Sequence, residues 1–357
     1  MTVMSINMRQ SLRPVAIVII SAALFGVSAP LAKSLVEGMP ATELAGLLYL
    51  GAFLGLGVFV AFRRLNGKKR RYDPINKKDV KWLLGSIISG GVMAPILMVS
   101  GLMLISGFTA SLLLNLEGVF TVLLAITLFG EKESKRLWAA LLIMMFASVL
   151  LTYDPSNGAF RIEGTLLLVG AMLCWGLDNN LTQRIAGKDP VQISMAKGAV
   201  AGCASIGITL LIGSPMVFSY GLAYALILGA FSYGVSLVLF IIALSSMGSS
   251  RTAALFATGP FIGAALSIPL LGEPLEWIML PSAVMMAIAV WIITKENHVH
   301  AHRHSPAIHA HPHEHDDPHH QHHAGETIAG NHSHLHAHEE TAHSHAHWPD
   351  TSHRHDH

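Results

Sequence analysis

All 22 histidines of this 357-residue chain fall between His298 and His357, and the 297 residues before them contain none. Most alternate with other residues. His298, His300, His302 and His304 form the first run, followed by His309, His311, His313 and His315, then by His332, His334, His336 and His338. Shorter runs follow at His343, His345 and His347 and at His353, His355 and His357, and a denser group sits at His319, His320, His322 and His323. Neutral imidazole is the commonest protein ligand for divalent transition metals. Spacing decides how such ligands converge: on a helix, residues i and i+2 point about 200° apart, whereas on an extended chain they lie on one side. With almost no aliphatic side chains, residues 298–357 cannot bury a core. They are expected to be disordered without metal and to bind Ni, Co, Zn or Cu in preference to Mg or Ca. Eight carboxylates against Arg303 and Arg354 leave this tail at −6 with histidine neutral, which assists capture of cations. The plainer alternative is a solubilising segment that charges in mild acid.

A second set of chemistry-bearing residues lies inside apolar sequence, where ionisable groups are costly and functional by default. Glu117 sits in the middle of one such stretch with Asn115 two residues before it. A carboxylate there can take and release a proton during a transport cycle, or simply bond to a helix neighbour. Asp178, Asn179 and Asn180 form a polar cluster that suits a hard cation or a hydrogen-bonded polar substrate, unless it is merely solvated at a helix end. Glu43 opens another stretch and Lys197 lies within one; a pairing of Lys197 with Asp178 or Glu117 is the first to test. Met93, Met98, Met103, Met144 and Met145 suit a soft metal, but apolar packing explains them better. Cys174 and Cys203 are isolated within apolar runs and read as reduced core residues. No His-Glu-x-x-His, Gly-x-Ser-x-Gly or Walker pattern occurs, and no histidine outside the tail can act as a general base, so the chain is expected not to be an enzyme and to need no catalytic cofactor.

The elements that must position these residues are membrane spans. Of the whole chain, 52% is hydrophobic and only 13% charged, about half the charge of soluble domains. A bilayer needs about 20 mostly apolar residues per helix, and ten such stretches run over roughly 14–34, 41–62, 82–104, 107–129, 136–153, 164–183, 190–213, 219–244, 248–271 and 275–294. The first resembles a secretory leader in having Arg9 and Arg13 before an apolar run and a small residue near Ala29; it is read as a retained span because a later stretch matches it. With residues 1–13 in the cytoplasm, 20 of the 23 basic residues fall on the cytoplasmic side, including nine between 63 and 81. The positive-inside rule therefore predicts a multi-pass protein of the cell membrane, with both termini and the histidine tail cytoplasmic. Residues 1–297 hold 21 basic and 14 acidic residues, and no basic face interleaved with aromatics points to nucleic acid.

The spans repeat. Phe25-Gly26 in the first matches Trp175-Gly176 in the sixth, and Pro40 matches Pro190, both 150 residues apart. Leu128-Phe129-Gly130-Glu131 matches Leu270-Leu271-Gly272-Glu273 at an offset of 142, and residues 105–131 align with 247–273 without a gap. Five spans per half place the second half upside down relative to the first. Inverted repeats of this kind are a hallmark of secondary transporters, whose substrate sites lie near the midplane between the halves.

Ten spans in two five-helix halves resemble the drug/metabolite transporter superfamily, EamA type. The closest matches are Thr109 to Glu131, containing Asn115-Leu116-Glu117-Gly118-Val119-Phe120, and Gly259-Pro260-Phe261 with Leu-Leu-Gly-Glu in the second half. The family often has proline after the position of Glu117; here Gly118 stands there and Pro260 is kept in the second copy. The resemblance implies export or exchange of small solutes without ATP hydrolysis. The fold expected is an all-α membrane protein of ten transmembrane helices, with five-helix repeats over 14–153 and 164–294 and the tail at 298–357. The leading functional expectation is a secondary-active exporter of divalent nickel, cobalt or zinc fed by the tail. The alternatives are an EamA-type exporter of an organic metabolite or drug with an accessory metal-binding tail, and a membrane-anchored metal buffer without transport. Lipid and a small solute or metal ion are the expected partners, and a homodimer is compatible with all three.

Overall fold

A computed structural model describes residues 2–36, 38–65, 72–129, 135–154, 159–214, 216, 220–247, 252, 255–294, 299–304, 307–313, 332–338 and 341–346. Up to residue 294 the described residues are almost wholly helical, and the helices fall on the ten apolar stretches. Among the described residues six stretches, including Ala41–Leu65, Pro190–Leu211 and Tyr220–Ser246, are long and apolar enough to cross a membrane, and Trp138–Leu151, Gly259–Leu271 and Met279–Ile292 are shorter apolar helices. The sixth stretch, Ile162–Gln183, carries Glu163 and the Asp178-Asn179-Asn180 cluster. Apolar side chains also cover the outside: Leu54, Val58, Phe62, Leu142, Leu166 and Leu280 are each more than half exposed. Such a surface is stable only in lipid.

The halves pack as a pseudo-symmetric pair. The second span lies along the seventh, Pro190–Leu211, and the fifth, Lys135–Leu151, along the tenth, Met279–Thr294. The first span (Thr2–Gly26, Ser28–Lys33) packs on the eighth and ninth, as the sixth packs on the third and fourth. Small residues allow this closeness. Gly26 and Gly259 meet backbone to backbone, leaving no space for a Cβ on either, as expected where helices associate through small residues in lipid.

Irregularities recur in both halves. The third span passes through a π-helical turn at Ile87–Met93 and the eighth through one at Ala230–Val235. The two turns share Ser-x-Gly-Val, as Ser89-Gly90-Gly91-Val92 and Ser232-Tyr233-Gly234-Val235. The fourth span breaks between Gly107–Leu113 and Leu116–Phe129, and the ninth turns at Ala257 and Thr258 before Gly259–Leu271. Wider turns and broken helices free backbone groups at membrane depth, where they are tolerated only inside protein or around a cavity.

The Gly-Glu that ends each half-repeat has a structural reason in the second copy. Gly272 adopts a left-handed conformation (φ 63°) and stops the ninth helix, the usual glycine role after a helix. The chain then turns Glu273 onto the start of the fourth span, where its carboxylate accepts from the Gly107 and Phe108 amides at 2.6 and 2.9 Å. Arg161 donates to Glu276 at 3.0 Å nearby in sequence. Glu131, the counterpart of Glu273, lies outside the described residues.

The described strands of the tail belong to a separate unit. Val299–His304 pairs antiparallel with Thr341–Ala346, and Ala307–His313 with His332–His338. The register sets histidine opposite histidine at 300/345, 302/343, 309/336, 311/334 and 313/332. Composition predicts a tail with no fixed structure of its own, and two-stranded ribbons are at best marginal in water. The tail's histidine side chains, and so its expected metal ligation, lie outside the described residues.

Candidate functional site

Asp178, Asn179 and Asn180 are consecutive on a helix, so they point about 100° apart and reach two neighbouring spans. Asp178 turns toward the seventh span. Its Oδ1 accepts from Lys197 Nζ at 2.5 Å and from Thr182 Oγ1 at 2.9 Å, while Lys197 also donates to Thr182 at 2.9 Å. Asp178 is 6% exposed and Lys197 1%. The cluster is therefore buried and paired, not a solvated helix end, and Lys197 takes Asp178 rather than Glu117. A cradle surrounds the pair. Gly90, in the π-helical turn, lies against the Asp178 carboxyl so closely that a Cβ would overlap it. The freed Gly90 carbonyl accepts from Tyr49 Oη at 2.7 Å and Trp175 Nε1 at 3.0 Å.

Asn179 faces the fourth span and donates to Glu117 Oε1 at 2.8 Å and Thr121 Oγ1 at 3.2 Å. Asn180 clasps backbone, donating to the Thr121 and Gly176 carbonyls at 3.0 and 2.8 Å. Asn115 stands at the break in the fourth span. Its amide nitrogen donates to the Leu112 carbonyl at 3.1 Å, while its Oδ1 is buried without a hydrogen-bond partner.

These groups open on a cavity between the halves, lined by Tyr49, Glu117, Trp175, Asp178, Asn179, Ser232, Tyr233, Ser236 and Phe240, among others. An adjoining space shares Phe25, Glu117, Asn179, Phe240 and Phe256 with it and extends to Asn115, Gly118, Ala257 and Pro260. The aromatic rings form a continuous wall. Phe25 meets Trp175, Phe256 and Tyr233 at centroid distances of 5.4, 5.3 and 5.9 Å, Tyr49 meets Tyr233 at 5.3 Å, and Phe240 meets Phe256 at 4.9 Å. Ser21 and Ser236 bind the first and eighth spans reciprocally, each hydroxyl donating to the other's carbonyl at 2.7 and 2.8 Å.

Of the residues singled out by sequence, the structure brings Asn115, Glu117, Asp178 and Asn179 to this cavity and sets Lys197 directly behind it. Asn180 and Glu43 do not line it; Glu43 is buried at the start of the second span, six residues and about 9 Å along the helix from Tyr49. Met98 and Met144 are core residues, as packing predicts, whereas Met93, Met103 and Met145 are about half exposed. Cys174 and Cys203 are free, but Cys203 is exposed and not in the core. Phe25 and Trp175 of the aromatic wall stand out in the sequence as repeat landmarks, whereas Tyr49, Tyr233, Phe240, Phe256, Ser232 and Ser236 do not. The repeated Ser-x-Gly-Val around Tyr233 was the signal that marks them.

Inverted five-helix halves, broken helices in both and a cavity with an acidic edge where they meet define a membrane transporter. The chain belongs to the EamA-like transporter family, whose model matches residues 12–153 and again 162–295. It is 30% identical over 286 residues to a protein of Methanothermobacter thermautotrophicus described as an uncharacterized transporter, spanning 75% of this chain and 82% of that one. It is 31% identical over 186 residues to an uncharacterized protein of Pseudomonas aeruginosa, covering 51% and 63% of the two chains. A crystal structure of a protein 17% identical to it overlays 79% of this chain and 98% of that one with a TM-score of 0.62, a likeness of fold.

Proposed function

We propose that the chain is a secondary-active exporter of a small organic metabolite or drug, bound between the repeats beside Glu117. The observation that supports this most is the lining of the cavity: rings from both halves surround one acidic edge, the pattern of an organic-solute pocket, mostly apolar with a few placed polar groups. In the orientation set by the basic residues, the termini face the cytoplasm. The tail is an accessory segment that binds or senses transition metal.

The divalent-metal reading stands second and draws on the 22 tail histidines. Within the membrane part it finds little support. Among the described residues no three His, Cys, Asp or Glu side chains gather. An ion in the cavity would have Glu117 and amide oxygens, and would gain Asp178 only by detaching Lys197. A metal buffer without transport gives way to membership of a transporter family.

Growth of cells with and without the gene on toxic organic solutes and on nickel, cobalt, zinc and copper separates the readings. Altered tolerance to organic compounds alone is expected. Tolerance altered for metals alone would favour the second reading and overturn the first.

A further inference from the structure

We propose that the cavity selects protonated amines carrying an apolar or aromatic body, an inference that rests on the transport reading above. Charge gives the first argument. Asp178 is offset by Lys197 at 2.5 Å, which leaves Glu117 as the excess charge on the cavity wall. Among the described residues, those lining both spaces include no Lys, Arg or His. A solute carboxylate or phosphate would thus meet a carboxylate, with no cation to receive it unless Lys197 abandoned Asp178. A buried charge stripped of its partner is strongly unfavourable.

Hydrogen bonding gives the second. Asn115 Oδ1 is an acceptor without a donor, two residues from Glu117 on the same wall. Buried acceptors are normally satisfied, and an ammonium supplies the donor that Asn115 lacks and a countercharge to Glu117, whose Oε1 already accepts from Asn179. The third is the division of the walls. By the repeat alignment Ala257, Gly259 and Pro260 stand where Asn115, Glu117 and Gly118 stand in the first half. One wall is thus an acidic edge, and the facing wall is apolar, with Phe240 and Phe256. An amphipathic solute matches both. Trp175 and Tyr233 also line the space, and aromatic rings attract cations.

The test is binding to the purified full chain in detergent, measured by calorimetry with four probes that share a phenethyl body: phenethylamine, 2-phenylethanol, 3-phenylpropanoate and phenylalanine. Phenethylamine is expected to bind at least about tenfold more tightly than the other three, an ordinary effect for a charge in a low-dielectric pocket. Glu117→Gln should erase most of that margin, and it retains an acceptor for Asn179. Tyr233→Leu, with the carboxylate intact, should weaken phenethylamine more than 2-phenylethanol and covers the case of a Glu117 variant that fails to fold. Equal binding of the alcohol, or tighter binding of the acid or amino acid, overturns the proposal. If none of the four binds, yet the tolerance conferred by the full chain is lost in Glu117→Gln, the amine class is wrong and the transport reading survives. If that tolerance is unchanged in Glu117→Gln, the placement of the solute beside Glu117 fails with it.

Discussion

Phe25 and Trp175 occupy equivalent places in the two repeats, and their rings meet edge to face, 5.4 Å apart at a 75° angle. The contact lies on the pseudo-symmetry axis, so each half presents an aromatic to the other at the cavity. Trp175 adds a hydrogen bond to the Gly90 carbonyl. Trp175→Phe keeps a ring and removes that bond. It should cost about 1 kcal/mol, read as a lower melting temperature of the purified protein, whereas Trp175→Leu should also impair transport.

Lys197 and Asp178 should be coupled. Lys197→Met alone leaves a buried carboxylate uncompensated and is expected to cost ~3–5 kcal/mol, while the double variant with Asp178→Asn should recover much of the loss. Thermal unfolding of the two singles and the double measures this. Additive effects would show that the two side chains do not stabilise one another.

Glu273 should act as a helix cap rather than in transport. Glu273→Gln exchanges a carboxylate for a neutral amide at the first amides of the fourth span, and a loss of about 0.5–1 kcal/mol follows. Thermal melts check the loss, and the solute tolerance of cells should change little.

The landmarks that were legible in the sequence were those with a local cause. Gly272 before Glu273 marks a helix stop, and the Phe25-Gly26 and Trp175-Gly176 pairs mark where halves cross, because glycine permits the close approach. Glu117 and Asp178 stood out because charge in apolar sequence is rare. The choice of Asp178 over Glu117 by Lys197 was not legible, since it depends on how the sixth and seventh helices are rotated about their axes. Tyr49, Tyr233 and Phe256 were hidden for a similar reason. An aromatic that faces a cavity and one that faces lipid read alike in an apolar span.

Removal of the tail should separate metal binding from transport. The full chain is expected to bind several nickel or zinc ions in equilibrium dialysis, and a chain ending at residue 297 should bind almost none. Binding should fall in mild acid, because a metal-ligating imidazole must be deprotonated. Undiminished binding by the shortened chain would place the ions in the membrane part.

The most direct measurement compares the solute-tolerance profiles of cells making the full chain, the chain ending at residue 297, and Glu117→Gln, all at matched membrane abundance. The shortened chain is expected to match the full chain for organic solutes, and Glu117→Gln to match cells without the gene. Tolerance that survives Glu117→Gln but disappears with the tail would contradict the account.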